Sequence, residues 1–184
     1  MRQVLKLHPD SRSATVTGVA VDVARPGPGL LSLRYVLSGA TGRVKLPPPA
    51  ESARVDGLWR HSCFEAFVRA PSGEAYYEFN LAPSTQWAAY RFDGYRRGMR
   101  PAEVRSAPKL EVGSTGEAFE LRALLDLAGA PDLGDEGAWR LGLAAVVEEA
   151  DGGLSYWGLA HPPGKPDFHH ADCFAVELPA TGRR

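Results

Sequence analysis

Clusters of Gly, Pro, Ser and Asp cut this chain into short apolar or alternating runs, a punctuation that suits short strands and starves helices. With 20 Gly and 15 Pro among 184 residues, turns are frequent, while a 44% hydrophobic content supplies the core of one compact domain, residues 1–184. Strands are expected at 15–23, 30–37, 63–70, 76–81, 87–92, 109–112, 118–123, 139–147, 154–160 and 174–178. A short helical stretch is expected at 124–128, ended by Gly129 and Pro131. Arg25-Pro-Gly-Pro-Gly29 reads as a turn, Pro47-Pro-Pro49 as an extended linker and Asp151-Gly-Gly153 as a hairpin loop. The class that follows is all-β, an antiparallel sandwich of about ten strands of jelly-roll or immunoglobulin-like form.

The middle of the chain is the most informative. A hairpin tip at Ser72-Gly73 sets Phe64 opposite Leu81, Ala66 opposite Phe79 and Val68 opposite Tyr77, which makes one face a core. The other face then carries Glu65 opposite Asn80 and Phe67 opposite Glu78. A second turn at Pro83-Ser-Thr-Gln86 is expected to set Phe79 against Tyr90 and Tyr77 against Phe92, leaving Glu78 against Arg91 and Ala82 against Trp87 on the polar side. That surface joins an indole, Trp87, to the polar groups of Glu65, Glu78, Asn80 and Arg91. It suits a pyranose, whose C–H face stacks on an aromatic plane while its hydroxyls meet fixed polar partners. It equally suits an ordinary cross-strand ion pair, Glu78–Arg91, with Trp87 covering the sheet.

The run Asp56-Gly-Leu-Trp-Arg-His-Ser-Cys-Phe-Glu-Ala-Phe-Val68, followed by Tyr76-Tyr-Glu-Phe-Asn80 and Trp87-Ala-Ala-Tyr-Arg-Phe92, resembles the DOMON-like superfamily, in the branch related to family 9 carbohydrate-binding modules. Ser155-Tyr-Trp-Gly158 and Lys165-Pro-Asp-Phe-His-His170 are a weaker echo of it. The resemblance implies a β-sandwich with a ligand cleft on one sheet. It further implies that two tryptophans flank the sugar beside an acidic residue, positions that Trp59, Trp157 and Glu65 match, with Arg91 as a sugar-contacting arginine. Arg60-His61 stands where the modules carry paired Asp. Some relatives hold structural calcium or haem; the expectation here is no cofactor, with calcium or haem as the alternative.

The remaining candidates are histidines and cysteines. Cys63 and Cys173 make no disulfide framework, and free thiols together with an N-terminus lacking a signal-length apolar run give the expectation of a cytoplasmic chain. His61 and Cys63 lie two apart at a strand entrance and could reach one metal, while His161, His169, His170 and Cys173 surround the last long loop. No Cys-x-x-Cys or His-x-x-x-His spacing is present, so hydrogen-bonded imidazoles, ligand contacts and His61–Glu65 acid–base chemistry all remain open. A formal net charge of -1 argues against nucleic acid, the arginines Arg91, Arg96, Arg97 and Arg100 read as a solvated edge, and no apolar run reaches the roughly 20 residues of a membrane span. The reading reached is a non-catalytic module for a carbohydrate or similar small amphipathic molecule. The alternatives are a metal or haem protein or enzyme using His61, Cys63, His169, His170 and Cys173, and a protein–protein interaction domain. The oligomeric state is left open.

Overall fold

Residues 1–181 are described by a computed structural model of the chain. Twelve strands follow one another: β1 (Arg2–Leu7), β2 (Val16–Ala24), β3 (Leu30–Gly39), β4 (Cys63–Arg69), β5 (Tyr76–Leu81), β6 (Trp87–Phe92), β7 (Arg100–Pro101), β8 (Lys109–Ser114), β9 (Ala118–Asp126), β10 (Trp139–Glu148), β11 (Leu154–Gly158) and β12 (Val176–Leu178). Three 3-10 turns lie between them, at Thr41–Arg43, Leu58–Arg60 and Ala171–Cys173. One layer runs β1-β2-β3-β9-β8 and the other β7-β6-β5-β4-β10-β11, with β12 pairing the first residues of β10. The strand β1 belongs to both layers: Arg2 to Leu5 pair with β2, while Lys6 and Leu7 pair with Gly158 and Trp157 of β11.

The two layers differ in how their residues alternate. In the first, β3 and β9 bury every second residue, Leu31, Leu33, Tyr35 and Leu37 against Phe119, Leu121, Ala123 and Leu125, as a sheet with one wet face should. On that wet face Arg34 bridges Asp22, 2.9 Å away, and Glu120. In the second layer β4, β5 and β10 are buried on nearly every residue, so both of its faces are covered. One face joins the inter-sheet core through Phe64, Ala66, Val68, Phe79, Leu81, Leu143 and Ala145. The other holds a separate apolar cluster of Phe67, Tyr76, Ala88, Tyr90, Phe92, Ala144, Val146, Phe168 and Phe174.

The all-β sandwich and all ten expected strands are present, with β1 and β7 in addition. The expected helix at 124–128 is absent, because Leu124, Leu125 and Asp126 extend β9 against Ser32, Leu31 and Leu30, and burying Leu125 in the sheet outweighs local propensity. The first hairpin register is as read from Ser72-Gly73: Phe64↔Leu81, Glu65↔Asn80, Ala66↔Phe79, Phe67↔Glu78 and Val68↔Tyr77. The second differs by one residue, pairing Leu81↔Trp87, Phe79↔Ala89, Glu78↔Tyr90 and Tyr76↔Phe92. The cause is the turn. Thr85 adopts φ 69, and the bonds Thr85 N–H to Ala82 O and Ala82 N–H to Gln86 O close a three-residue loop that ends in the left-handed region.

Candidate functional site

A single slip of register exchanges the two faces of β6. Ala88, Tyr90 and Phe92 therefore lie on the outer face of the second layer beside Glu65 and Glu78, while Trp87 and Ala89 join the inter-sheet core. Trp87 is buried, beneath the Arg54 guanidinium 4.7 Å from its ring centroid, and offers no surface to a sugar or to a partner protein. Arg91 does not meet Glu78. Its guanidinium binds Asp132 through two nitrogens, Nη2 at 2.8 Å, and also reaches Asp93. The same parity corrects Trp157. It pairs with Ala145 of the core, is 5% exposed and donates its indole N–H to Ser155 Oγ at 3.0 Å, so Trp59 and Trp157 are not two jaws of one cleft. Its neighbour Tyr156, opposite Val146, is the residue that faces outward.

Glu65 stands in one transverse row of the outer face, Gly158, Ala144, Glu65, Asn80 and Ala88, which are mutual partners across five strands. Ala144 on one side and Asn80 on the other flank Glu65. Above it lies a cavity of about 340 Å³ lined by Trp59, Glu65, Glu78, Phe92, Arg96, Met99, Val146, Tyr156, Pro166, Phe168 and His169. Trp59, on the turn Leu58–Arg60, is 37% exposed and sets its ring edge-on to Tyr90 at 5.9 Å. The opposite wall is the segment after β11. It settles closely because Gly158 has no Cβ, which would sit 3.2 Å from both Phe168 Cε1 and His161 Cε1. The rim is tied together by Asp167, which takes Arg96 Nη2 at 2.8 Å and the Tyr95 hydroxyl, joining the β6–β7 loop to the segment after β11.

The polar groups at the bottom are nearly dry. Glu65 and Glu78 are 4% and 5% exposed. Burial, then the neighbouring Glu78 charge, pushes the Glu65 carboxyl well above the usual range. Burial also lifts Glu78, to about 7, against the hydrogen bond from Asn80 Nδ2 at 2.8 Å and the more distant Arg96. Asn80, fully buried, serves as a support for Glu78 and receives the Cys63 thiol on its Oδ1 at 3.8 Å. The Glu65 carboxyl accepts no hydrogen bond from the described residues, although its oxygens reach the cavity. His169 closes the row: its Nδ1 lies 2.8 Å from the Tyr76 hydroxyl and its Nε2 3.7 Å from Glu78, and burial lowers its pKa to about 4. With the Arg96 N–H donating to Tyr76 Oη at 3.2 Å, the tyrosine proton is free to point to Nδ1, the arrangement that places the imidazole proton on Nε2, toward Glu78.

The other histidines and cysteines do not join this cluster. His61 is exposed and pairs with Glu148 at 2.7 Å, beside Lys45, and together with Arg60 it borders a neighbouring groove. Cys63 is fully buried, where desolvation first and then Glu65 raise its thiol well above the ordinary range, so His61 and Cys63 share no site. His161 donates Nε2–H to Lys6 O at 2.7 Å, His170 accepts the Asp172 N–H at the start of the turn Ala171–Cys173, and the Cys173 thiol bonds Ala160 O and Asp167 O. Among the described residues no group of three or more His, Cys, Asp or Glu side chains is arranged to hold a metal ion.

Phe92, Arg96, Met99, Val146, Tyr156, Pro166 and Phe168 are the lining residues that sequence reasoning missed. Strand parity, counted from the Gly153 turn, was the available signal for Tyr156; Arg96 and Phe168 come from loops whose placement is tertiary.

No family model matches the chain, and no curated protein matches it. Solved structures do. A "putative carbohydrate-binding protein" from Bacteroides uniformis superposes with a TM-score of 0.68 at 16% identity, over 94% of this chain and 83% of that one. A family 9 carbohydrate-binding module from Caldicellulosiruptor kristjanssonii, in complex with glucose, superposes with a TM-score of 0.55 at 10% identity, over 95% and 81%. A cellotriose complex from the same organism gives 0.53 at 7% identity, over 89% and 74%. At these identities the likeness establishes the fold, a β-sandwich of the kind carbohydrate-binding modules use.

Proposed function

We propose that this chain is a non-catalytic carbohydrate-binding domain whose ligand enters the cleft above Glu65. The observation that carries the reading is the Glu65 carboxyl itself: buried, without a hydrogen-bond partner of its own and facing a cavity walled by Trp59, Tyr156 and Phe168. A buried acceptor of this kind costs folding free energy unless something satisfies it. A sugar supplies hydroxyl donors for Glu65 and Glu78 and apolar C–H surface for the aromatic walls. A cavity of about 340 Å³ suits one sugar residue more than a polysaccharide lying along a flat face. The fold shared with the glucose- and cellotriose-bound modules supports the same reading.

Binding is favoured over bond cleavage by the direction of the two acids. A glycosidase needs environments that push one carboxyl up and leave the other ionised, whereas here burial raises both. The reading needs no metal or cofactor. Calorimetric titration of the chain with a panel of monosaccharides and short oligosaccharides tests it, with Trp59→Ala as control. Measurable binding to at least one sugar, weakened by the substitution, is expected; no binding across the panel, or binding indifferent to Trp59, overturns the proposal.

A further inference from the structure

Glu65 and Glu78 occupy diagonal positions on adjacent strands, Glu65 facing Asn80 and Glu78 facing Phe67 across the ladder, so their carboxyls share one small dry volume. Among the described residues neither forms an ion pair with a Lys or Arg. The nearest guanidinium, Arg96, is bound to Asp167, and His169 is kept neutral by burial and by that same Arg96. The other titratable groups around the pair are Cys63 on β4, Tyr76 on β5, Tyr90 on β6 and Asp167 on the rim, with Tyr35 approaching Glu65 from the core. None of them brings a positive charge.

A neutral sugar leaves the two acids either holding protons or, once ionised, repelling each other. An ammonium group set between them removes that repulsion, and its three N–H donors reach the lone pairs that Glu65 keeps free. Aromatic rings at the mouth, Trp59 and Tyr156 among them, also suit a desolvated cation. We propose that the sugar selected by this cleft carries a protonated amine, seated between Glu65 and Glu78. The inference rests on the carbohydrate reading above and narrows it to amino sugars. Protons compete with the ammonium group for the same oxygens, so binding releases protons and strengthens as the pH rises through the range in which the pair ionises.

The test is calorimetric titration of the whole chain with D-glucosamine, D-glucose and N-acetyl-D-glucosamine near neutral pH, repeated near pH 5 and in buffers of different ionisation enthalpy. Glucosamine is expected to bind on the order of tenfold or more tighter than glucose, and N-acetylglucosamine, which has lost the charge, no better than glucose. Its affinity falls at the lower pH, and the buffer dependence reports the released protons. Glu65→Gln and Glu78→Gln, each checked for folding by circular dichroism, are expected to abolish the preference. Glucose binding as well as glucosamine, N-acetylglucosamine matching glucosamine, or a preference that survives both substitutions would overturn this inference while leaving the carbohydrate reading intact. Failure of all three sugars to bind would overturn this inference and count against that reading.

Discussion

Glu78 stands directly opposite Tyr90 across β5 and β6, and the Tyr90 hydroxyl donates at 2.8 Å to Asp56, just ahead of the turn that carries Trp59. This one pairing decides which side chains see the cleft. It puts Tyr90 beneath Trp59, and it turns Trp87 and Arg91 away.

Trp59 and Trp157 are separable by mutation. Trp59→Ala removes a half-exposed wall and should weaken sugar binding about tenfold with little effect on the melting temperature. Trp157→Ala empties part of the inter-sheet core and should cost about 3–5 kcal/mol. Calorimetry and thermal denaturation of the two variants check this; equal destabilisation, or equal loss of binding, would contradict the placement.

Arg91 holds structure and does not line the cleft. Its two-nitrogen grip on Asp132, which also accepts the Tyr77 hydroxyl at 3.0 Å, fastens β6 to the segment after β9. Arg91→Ala should lose about 1–2 kcal/mol in chemical denaturation and leave sugar affinity within about twofold. A binding defect without a stability defect would restore Arg91 to the site.

Stability against pH carries the signature of the buried acids. Glu78, raised to about 7 from an ordinary 4.5, and Glu65, also raised, favour the fold when protonated, so their contribution is complete below the ordinary value and is lost as the pH climbs through the folded one. His169 acts in the opposite sense: lowered from 6.5 to about 4, its contribution is lost as the pH falls between those values. The two oppose each other below about pH 6.5, and above it the acids act alone. The ligand-free melting temperature should drop by several degrees between about pH 6.5 and about pH 8, and Glu65→Gln should flatten the drop. A wild-type curve without that slope would count against a dry carboxyl pair.

The imidazole offers a direct spectroscopic check. Nitrogen-15 correlation spectra should find His169 neutral at pH 6, protonated on Nε2, and titrating at about 4. Tyr76→Phe removes the donor to Nδ1 and should release the ring into a mixture of tautomers. A His169 that titrates with the exposed histidines would contradict the Tyr76–His169–Glu78 chain.

Much of the architecture was legible because strand parity and turn chemistry are local. The Ser72-Gly73 tip gave the correct Glu65–Asn80 pairing, and with it both acids of the cleft. The next hairpin was misread for an equally local reason that a sequence does not display: Thr85 takes a left-handed conformation usually left to Gly or Asn, and the loop closes one residue shorter. The family resemblance matches Trp157 by its place on a late strand, although only parity with Ala145 and Val146 decides that Tyr156 is the one pointing outward. Arg96, Phe168 and Met99 reach the cavity from loops whose positions depend on contacts such as Arg96–Asp167, far apart in the chain, and no periodicity announces those.

A last consequence comes from β1. Its first four residues lie in one layer and its last two in the other, so a single short segment stitches both walls of the sandwich at one corner. Peeling that segment away would unfasten Gly158 and Trp157 along with the opposite layer, and with them the anchor from which the cleft's far wall departs. The shape of the cleft is thereby coupled to the integrity of the opening residues, about sixty positions ahead of Glu65 in the sequence.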